Sequence, residues 1–259
     1  MKNLLFALLL GSLMLMAADC NNNDDDVQPE QNGVVELNFK GQFDNDLLMM
    51  FAKDYDYEAD MKVRFQLFRF YVSSVALQHA DMPGVAPILD EIALIDFKNV
   101  QSEIQANDGI TLRYEVEPGE YSGVNFGLGV SDVLNKTNPG NYDPTHPLSD
   151  NYWSAATGYV FTKIEGNADV DGDGELTEKI TFHIGGDQFY RGKTYNQAFT
   201  VRPGQTTRLN FEVDLHRVLA ADASNFIDFR KVTIDHTNDM DLATFISDNL
   251  ANAVTLVSN

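Results

Sequence analysis

Val34-Val35-Glu36-Leu37-Asn38-Phe39-Lys40 sets Val35, Leu37 and Phe39 against Glu36, Asn38 and Lys40 in strict alternation. Successive side chains of a strand point to opposite faces, so a period of two predicts a β-strand with one face buried. Outward from it come further strand-like runs at Lys62 to Val72, Glu91 to Phe97, Ile110 to Val116 and Tyr121 to Val130. More follow at Gly158 to Glu165, Glu178 to Ile184, Thr207 to Asp214 and Arg230 to Ile234. Asn107-Asp108-Gly109, Pro118-Gly119, Asn138-Pro139-Gly140 and Pro203-Gly204 separate them with turn chemistry. About nine short strands punctuated in this way predict an all-β fold, a two-sheet sandwich or Greek-key barrel of immunoglobulin-like kind. Two helices interrupt it: a short turn over Leu215 to Ala221, and a C-terminal helix. In the latter Leu242, Phe245, Ile246, Asn249, Leu250 and Ala253 recur at helical spacing behind Asp239 and Asp241.

The chain has 259 residues and no visible repeat, and 18 Lys plus Arg stand against 39 Asp plus Glu for a net charge of −21. A field of that sign repels phosphate backbones and argues against nucleic-acid binding. The hydrophobic content of 44% is ordinary for a folded core and too high for a disordered acidic chain. The single Cys excludes an internal disulfide and any cysteine-cluster metal site.

That cysteine closes a leader. Lys2, an apolar run from Leu4 to Met16, and then Ala17, Ala18, Asp19 and Cys20 have the layout of a secretory signal. The run of about 13 residues is shorter than the roughly 20 that a spanning helix needs. Cys20 stands where bacterial lipoproteins carry the residue that is lipidated and becomes the mature N-terminus, a membrane anchor; the alternative is cleavage near Ala18 with a free thiol. Asn21 to Asp26 and Gln28 to Gln31 form a polar, acidic tract, either a plain spacer or a surface-export signal. The expected organisation is a signal peptide over 1–19, a disordered tether over 20–32 and one β domain over 33–259, with the protein in the outer membrane, at the cell surface or else facing the periplasm.

Asp169-Val170-Asp171-Gly172-Asp173-Gly174-Glu175 places oxygen donors at alternate positions with glycine at the bends, the pattern that a hard cation such as calcium requires. Asp169, Asp171 and Asp173 would give side-chain oxygens and Glu175 its carbonyl. Ile180 occupies the twelfth position, which leaves Glu178 as substitute and strands instead of helices on either side. An acidic solvated turn is the other reading. The histidines are His79, His146, His183, His216 and His236. His183 lies in Thr181-Phe182-His183-Ile184-Gly185-Gly186, where alternation sets it opposite Phe182 and Ile184 and the glycines admit a close neighbour. His146 stands between Pro144 and Pro147 in a long loop. His236 precedes Met240, and an imidazole with a thioether suits copper. Met240 could equally cap the core. Trp153 is the only Trp, an indole for the core or for stacking on a ligand.

These residues fall into a larger pattern. Asp143-Pro144-Thr145-His146-Pro147-Leu148, Tyr152-Trp153-Ser154, Gly158 to Gly166 and Phe182-His183-Ile184-Gly185-Gly186 together resemble the MbnP-like family, exported proteins that include copper proteins associated with methanobactin and with methane oxidisers. Leu37-Asn38-Phe39, Phe70 to Leu77, Pro118-Gly119-Glu120-Tyr121, Phe126 to Val130, His236 and Asp248-Asn249-Leu250-Ala251 extend the resemblance over about residues 34 to 256. The resemblance implies a mostly β domain that binds copper outside the cell through histidines. By motif position His183 and Trp153 carry over first, then His236 and His146. It also implies that the Trp can be oxidised to kynurenine by a di-haem peroxidase-like partner of the MbnH or MauG kind. Where family members have Gly-Met before Tyr-Trp and a second Trp after it, this chain has Asp150, Asn151 and Ala155.

Two functions follow as expectations: an exported copper-binding lipoprotein for metal acquisition or handling, and a calcium-stabilised surface interaction module with structural histidines. No enzyme is expected. Gly129-Val130-Ser131-Asp132-Val133 lacks the last glycine of a nucleophile elbow, His-Glu-x-x-His is absent, and Gly127-Leu128-Gly129 lacks the third glycine of a dinucleotide loop.

Overall fold

The computed structural model describes residues 31–257 apart from Pro83 and Val85. The leader, Cys20 with its lipidation, and all of the acidic tether before Gln31 lie outside the described residues. The strands that build the domain are β1 (Gly33–Phe43), β2 (Lys62–His79), β3 (Ile88–Asp96), β4 (Ile110–Val116) and β5 (Gly119–Leu128). They continue with β6 (Tyr152–Ser154), β7 (Gly158–Asp169), β8 (Glu178–Gly185), β9 (Arg191–Tyr195) and β10 (Phe199–Val201). β11 (Thr206–Asp214), β12 (Ile234–Asp235) and β13 (Val254–Val257) follow, and the short strands Asp46–Leu47, Tyr55–Asp56, Ala220–Asp222 and Asn225–Phe226 add to them. Helix α1 (Leu215–Leu219) packs beside β1, and helix α2 (Met240–Ala253) beside β11.

Two sheets result. In the smaller, β1 pairs in parallel with β11 and antiparallel with β4, while β13 lies antiparallel on the far side of β11. In the larger the order is β9-β5-β2-β7-β8-β12, with β3 beside β2, β10 beside β5 and β6 beside β7. Phe39 of β1 and Phe211 of β11 stack at 5.0 Å, and both meet Phe126 of β5 edge-on at 5.9 and 5.4 Å. Those contacts run between the sheets, so the inward residues of the opening alternation are the core of a sandwich, as the sequence predicts.

The polar side of β1 departs from the expectation of a solvated face. Glu36 and Asn38 are also buried, at 8% and 0% exposure. β1 is a central strand, and its neighbours lay their side chains over it: Arg113 and Arg208 hold the Glu36 carboxylate, and Asn38 Nδ2 donates to the Asp108 carbonyl and to Thr111. Three further boundaries differ from those read in the sequence. Glu103–Asp108 is a short helix whose N-cap Ser102 accepts from the Gln105 amide, and only Gly109 is left to turn the chain. Arg230 to Thr233 is not strand, because Asp228 gathers the segment into a turn through the Arg230 amide and side chain. After α2, the expected C-terminal helix, the chain returns to the smaller sheet as β13. α2 starts where Asp239 accepts from the amides of Asp241 and Leu242, and it buries Ala243, Ile246 and Leu250. Among the described residues no helix is long and apolar enough to cross a membrane.

Candidate metal centre

β8 places His183. Phe182 and Ile184 point into the core at 0% and 1% exposure, so His183 faces the other way from the larger sheet. The antiparallel register sets it opposite Lys163 of β7, and Lys163 opposite Arg69 of β2. Glu165, one pleat along β7 on the same face, reaches His183 diagonally and accepts from its Nε2 at 2.7 Å. With that nitrogen donating to a carboxylate, Nδ1 keeps the lone pair that a metal needs, the arrangement by which an outer carboxylate orients a ligating imidazole. Burial pushes the His183 pKa below its ordinary value of 6.5, Lys163 and His236 push the same way, and Glu165 opposes them. The imidazole is therefore neutral at neutral pH. Burial and the Arg69 charge also lower Lys163.

A short loop after β12 delivers His236. β12 runs parallel to β8, pairing Asp235 with Phe182. The buried Asp235 carboxylate accepts from the amides of Thr237, Asn238 and Asp239, each at 3.0 Å, and folds the loop over itself. Thr237 then staples it to β8: its hydroxyl donates to the His183 carbonyl and accepts from the Gly185 amide. Gly185 is required at the bulge in β8, where a Cβ would strike the Tyr159 carbonyl. The His236 ring lies 4.9 Å from that of His183 at an interplanar angle of 20°, and its Nε2 is buried without a hydrogen-bond partner.

Trp153 arrives on β6, which pairs with the start of β7. Its indole meets His236 edge-on at 5.3 Å and remains 41% exposed. Asp150, Asn151, Trp153, Lys163, His183 and His236 line one open pocket of about 350 Å³. Three of the residues expected to act on copper are thus brought together from three separate segments. The other two are not among its walls. His146 caps the turn at Pro147, its Nδ1 accepting from the Leu148 amide and its ring stacked on Tyr142 at 4.1 Å. Met240 is the first residue of α2 and is half exposed. His79 lies against Tyr121, and His216 against Phe43 and Tyr57 with Glu58 at 3.3 Å. His216 thus packs among aromatic rings, and His79 against one, with its Nδ1 buried and unpartnered.

The donors fit a borderline cation such as copper: two neutral-capable imidazoles, one oriented by a carboxylate and one with an unpartnered nitrogen. Glu165, Lys163, Asn151, Asp235 and Thr237 were not singled out by their residue types. Their signal lay in register. Once the Asp169 to Glu178 loop is taken as a turn joining Ala168 to Glu178, counting back pairs Lys163 with His183 and sets Glu165 diagonal to it.

The acidic loop between β7 and β8 brings one carboxylate oxygen each of Asp169, Asp171 and Asp173 within 4.8 Å of one another. Asp169 is buried, and its oxygens accept from the amides of Gly172 and Gly174 at 2.8 and 2.9 Å; Asp173 accepts from Glu175. Burial works to raise the Asp169 pKa, and the amides of Gly172, Gly174 and Asp171 outweigh it, so the net shift is downward. The Glu175 carbonyl accepts from the Thr177 amide, and Glu178, at the head of β8, stands outside the cluster.

Residues 32–241 match the family model described as MbnP. No curated protein matches the chain. A solved structure to which it is similar is that of MbnP from Methylosinus trichosporium, at 16% identity and a TM-score of 0.50, over 73% of this chain and 78% of that one. At that identity the likeness concerns the fold.

Proposed function

The chain belongs to the MbnP family, and from that membership and the pocket on the larger sheet we propose that it is a copper-handling protein that binds a copper ion with His183 and His236 beside Trp153. One observation carries the reading. Two imidazoles from distant segments stack 4.9 Å apart in an open pocket, one oriented by Glu165 and the other with a buried, unpartnered nitrogen.

The wider setting belongs to the same proposal. The protein is exported, lipidated at Cys20 and displayed on the outer membrane, where it acquires or handles metal. Trp153, exposed at the rim, is the residue that a di-haem peroxidase-like partner would convert to kynurenine; a Trp153 peptide of unchanged mass from cells that make such a partner removes that element alone. Elemental analysis of the copper-loaded protein tests the core of the reading. Stoichiometric copper that is lost in His183→Ala supports it, and no copper in either form defeats it.

The second reading is a calcium-stabilised surface interaction module, favoured by the convergence of Asp169, Asp171 and Asp173. It expects chelation of calcium to abolish binding to a surface partner while copper has no effect.

A further inference from the structure

Strand pairing between β8 and β12 stops at Phe182 and Asp235, and counting the register on sets His236 opposite His183 and Thr237 opposite Ile184. The 4.9 Å between the imidazole rings is the spacing of neighbouring strands, so the two side chains stand as they would on a continuing sheet. The backbone at Thr237 does not continue it. Its φ is +58°, in the left-handed region that a β-branched residue seldom enters, and there the chain turns away toward α2. In the backbone's place the Thr237 hydroxyl donates to the His183 carbonyl at 3.0 Å and accepts from the Gly185 amide at 3.1 Å. These are the two groups, one on each side of Ile184, that a residue of a parallel neighbour strand would pair. Asp235 holds the turn from its other end through the amides of Thr237, Asn238 and Asp239.

We infer that Thr237 is a positioning residue: its hydroxyl stands in for a missing strand residue and sets the His183–His236 pair before any metal arrives. Among the described residues it is the only β-branched one at positive φ. Strain of that kind survives only where the surroundings over-determine it, and it gathers at functional sites. Glycine would take the angle freely but has no hydroxyl to bridge β8, and the branched Cβ of threonine limits χ1 and so keeps the hydroxyl aimed. A swinging loop would have to be ordered each time a metal bound, whereas a pair already set avoids that cost. The inference rests on the copper reading for the use of the pair and on the hydrogen bonds for its geometry.

The experiment compares the full chain with Thr237→Ser, Thr237→Gly and Thr237→Val. Without metal, the contact of the two imidazoles is read as a nuclear Overhauser effect between their ring protons, and the bridge to β8 as slow hydrogen exchange of the Gly185 amide. With copper, affinity is read by competition with a chelator. Serine keeps the hydroxyl and should match the parent in all three readouts. Glycine takes the backbone angle without strain and lacks the hydroxyl. It should lose the imidazole contact, exchange the Gly185 amide faster and bind copper at least about tenfold more weakly. Valine keeps the branched shape without the hydroxyl and should follow glycine, which carries the test if the valine variant does not fold. If Thr237 only shapes the turn into α2, the glycine variant keeps the imidazole contact and binds copper as the parent does. That result, or a serine variant as weak as glycine, overturns the inference while His183-dependent copper binding stands. A parent that binds no copper overturns the copper reading, and the imidazole contact and the Gly185 exchange then decide the role of Thr237 by themselves.

Discussion

Glu165 illustrates what one residue would contribute to the proposed copper site without itself being a ligand. Its carboxylate fixes the tautomer of His183 and makes the ring more basic against burial, which lowers it. Glu165→Gln keeps a hydrogen-bond acceptor in place and removes the charge. Since the carboxylate raises the His183 pKa, the variant's His183 should titrate lower still in the metal-free protein, read by its imidazole resonances. Loss of the outer carboxylate should weaken copper binding by about 10- to 100-fold, measured by competition with a chelator. A variant with parental affinity would leave Glu165 as a hydrogen-bond partner of His183 with no part in metal binding. The sequence made His183 legible because Phe182 and Ile184 flank it at a period of two. It could not show that Asn151 stands beside it, since the amide is held by the Tyr71 hydroxyl, 80 residues away. His146 shows the converse: two prolines around a histidine look like a site, and the same rigidity makes its ring a cap for the Leu148 amide.

At the scale of elements, Glu36 ties three strands of the smaller sheet together. The register sets it opposite Arg208 of β11 and Arg113 of β4, with contacts of 2.6 to 2.9 Å. The Arg208 hydrogen bonds, with help from Arg113, hold the Glu36 pKa below its ordinary 4.5 although burial works to raise it. A carboxyl with a depressed folded-state pKa contributes stability that is complete above its unfolded value and fades as the pH falls through the folded one. Glu36→Gln should therefore cost about 1 kcal/mol at neutral pH, a modest figure because both arginines can turn back to water. That gap should close as the pH drops below 4.5, where the parent loses the same interaction. Denaturant melts of both proteins at neutral and acid pH measure it, and a gap that is constant with pH would place the cost elsewhere. The alternation around Glu36 was legible and located the strand correctly. Its burial was not, since the two arginines lie 77 and 172 residues away and only the pairing of strands reveals them. Local chemistry likewise fixed α2 through Asp239, while β13 gave no periodic signal in its few residues and owes its place to β11.

For the whole molecule the dominant long-range quantity is the net charge of −21. Most of it lies on residues 33–259, because residues 1–32 hold only Lys2 against Asp19, Asp24, Asp25, Asp26 and Glu30; there it repels itself and favours expansion, whereas the ion pairs that oppose it are mostly exposed and individually worth about 0–1 kcal/mol. Screening weakens both, and the unbalanced repulsion is the larger of the two. Raising sodium chloride from about 0.01 M to about 0.15 M shortens the screening length from about 30 Å to about 8 Å, so it should raise the melting temperature. Part of this charge is concentrated in the loop of Asp169, Asp171 and Asp173, where a divalent ion could act in a way that diffuse screening cannot. Calcium chloride and magnesium chloride at equal ionic strength separate the two effects. If the loop is only an acidic turn closed by its own amides, both salts follow the sodium curve. If it holds calcium, calcium alone adds a shift that saturates with concentration, as binding to the folded state requires, and Asp171→Asn reduces that added shift while leaving the sodium response intact.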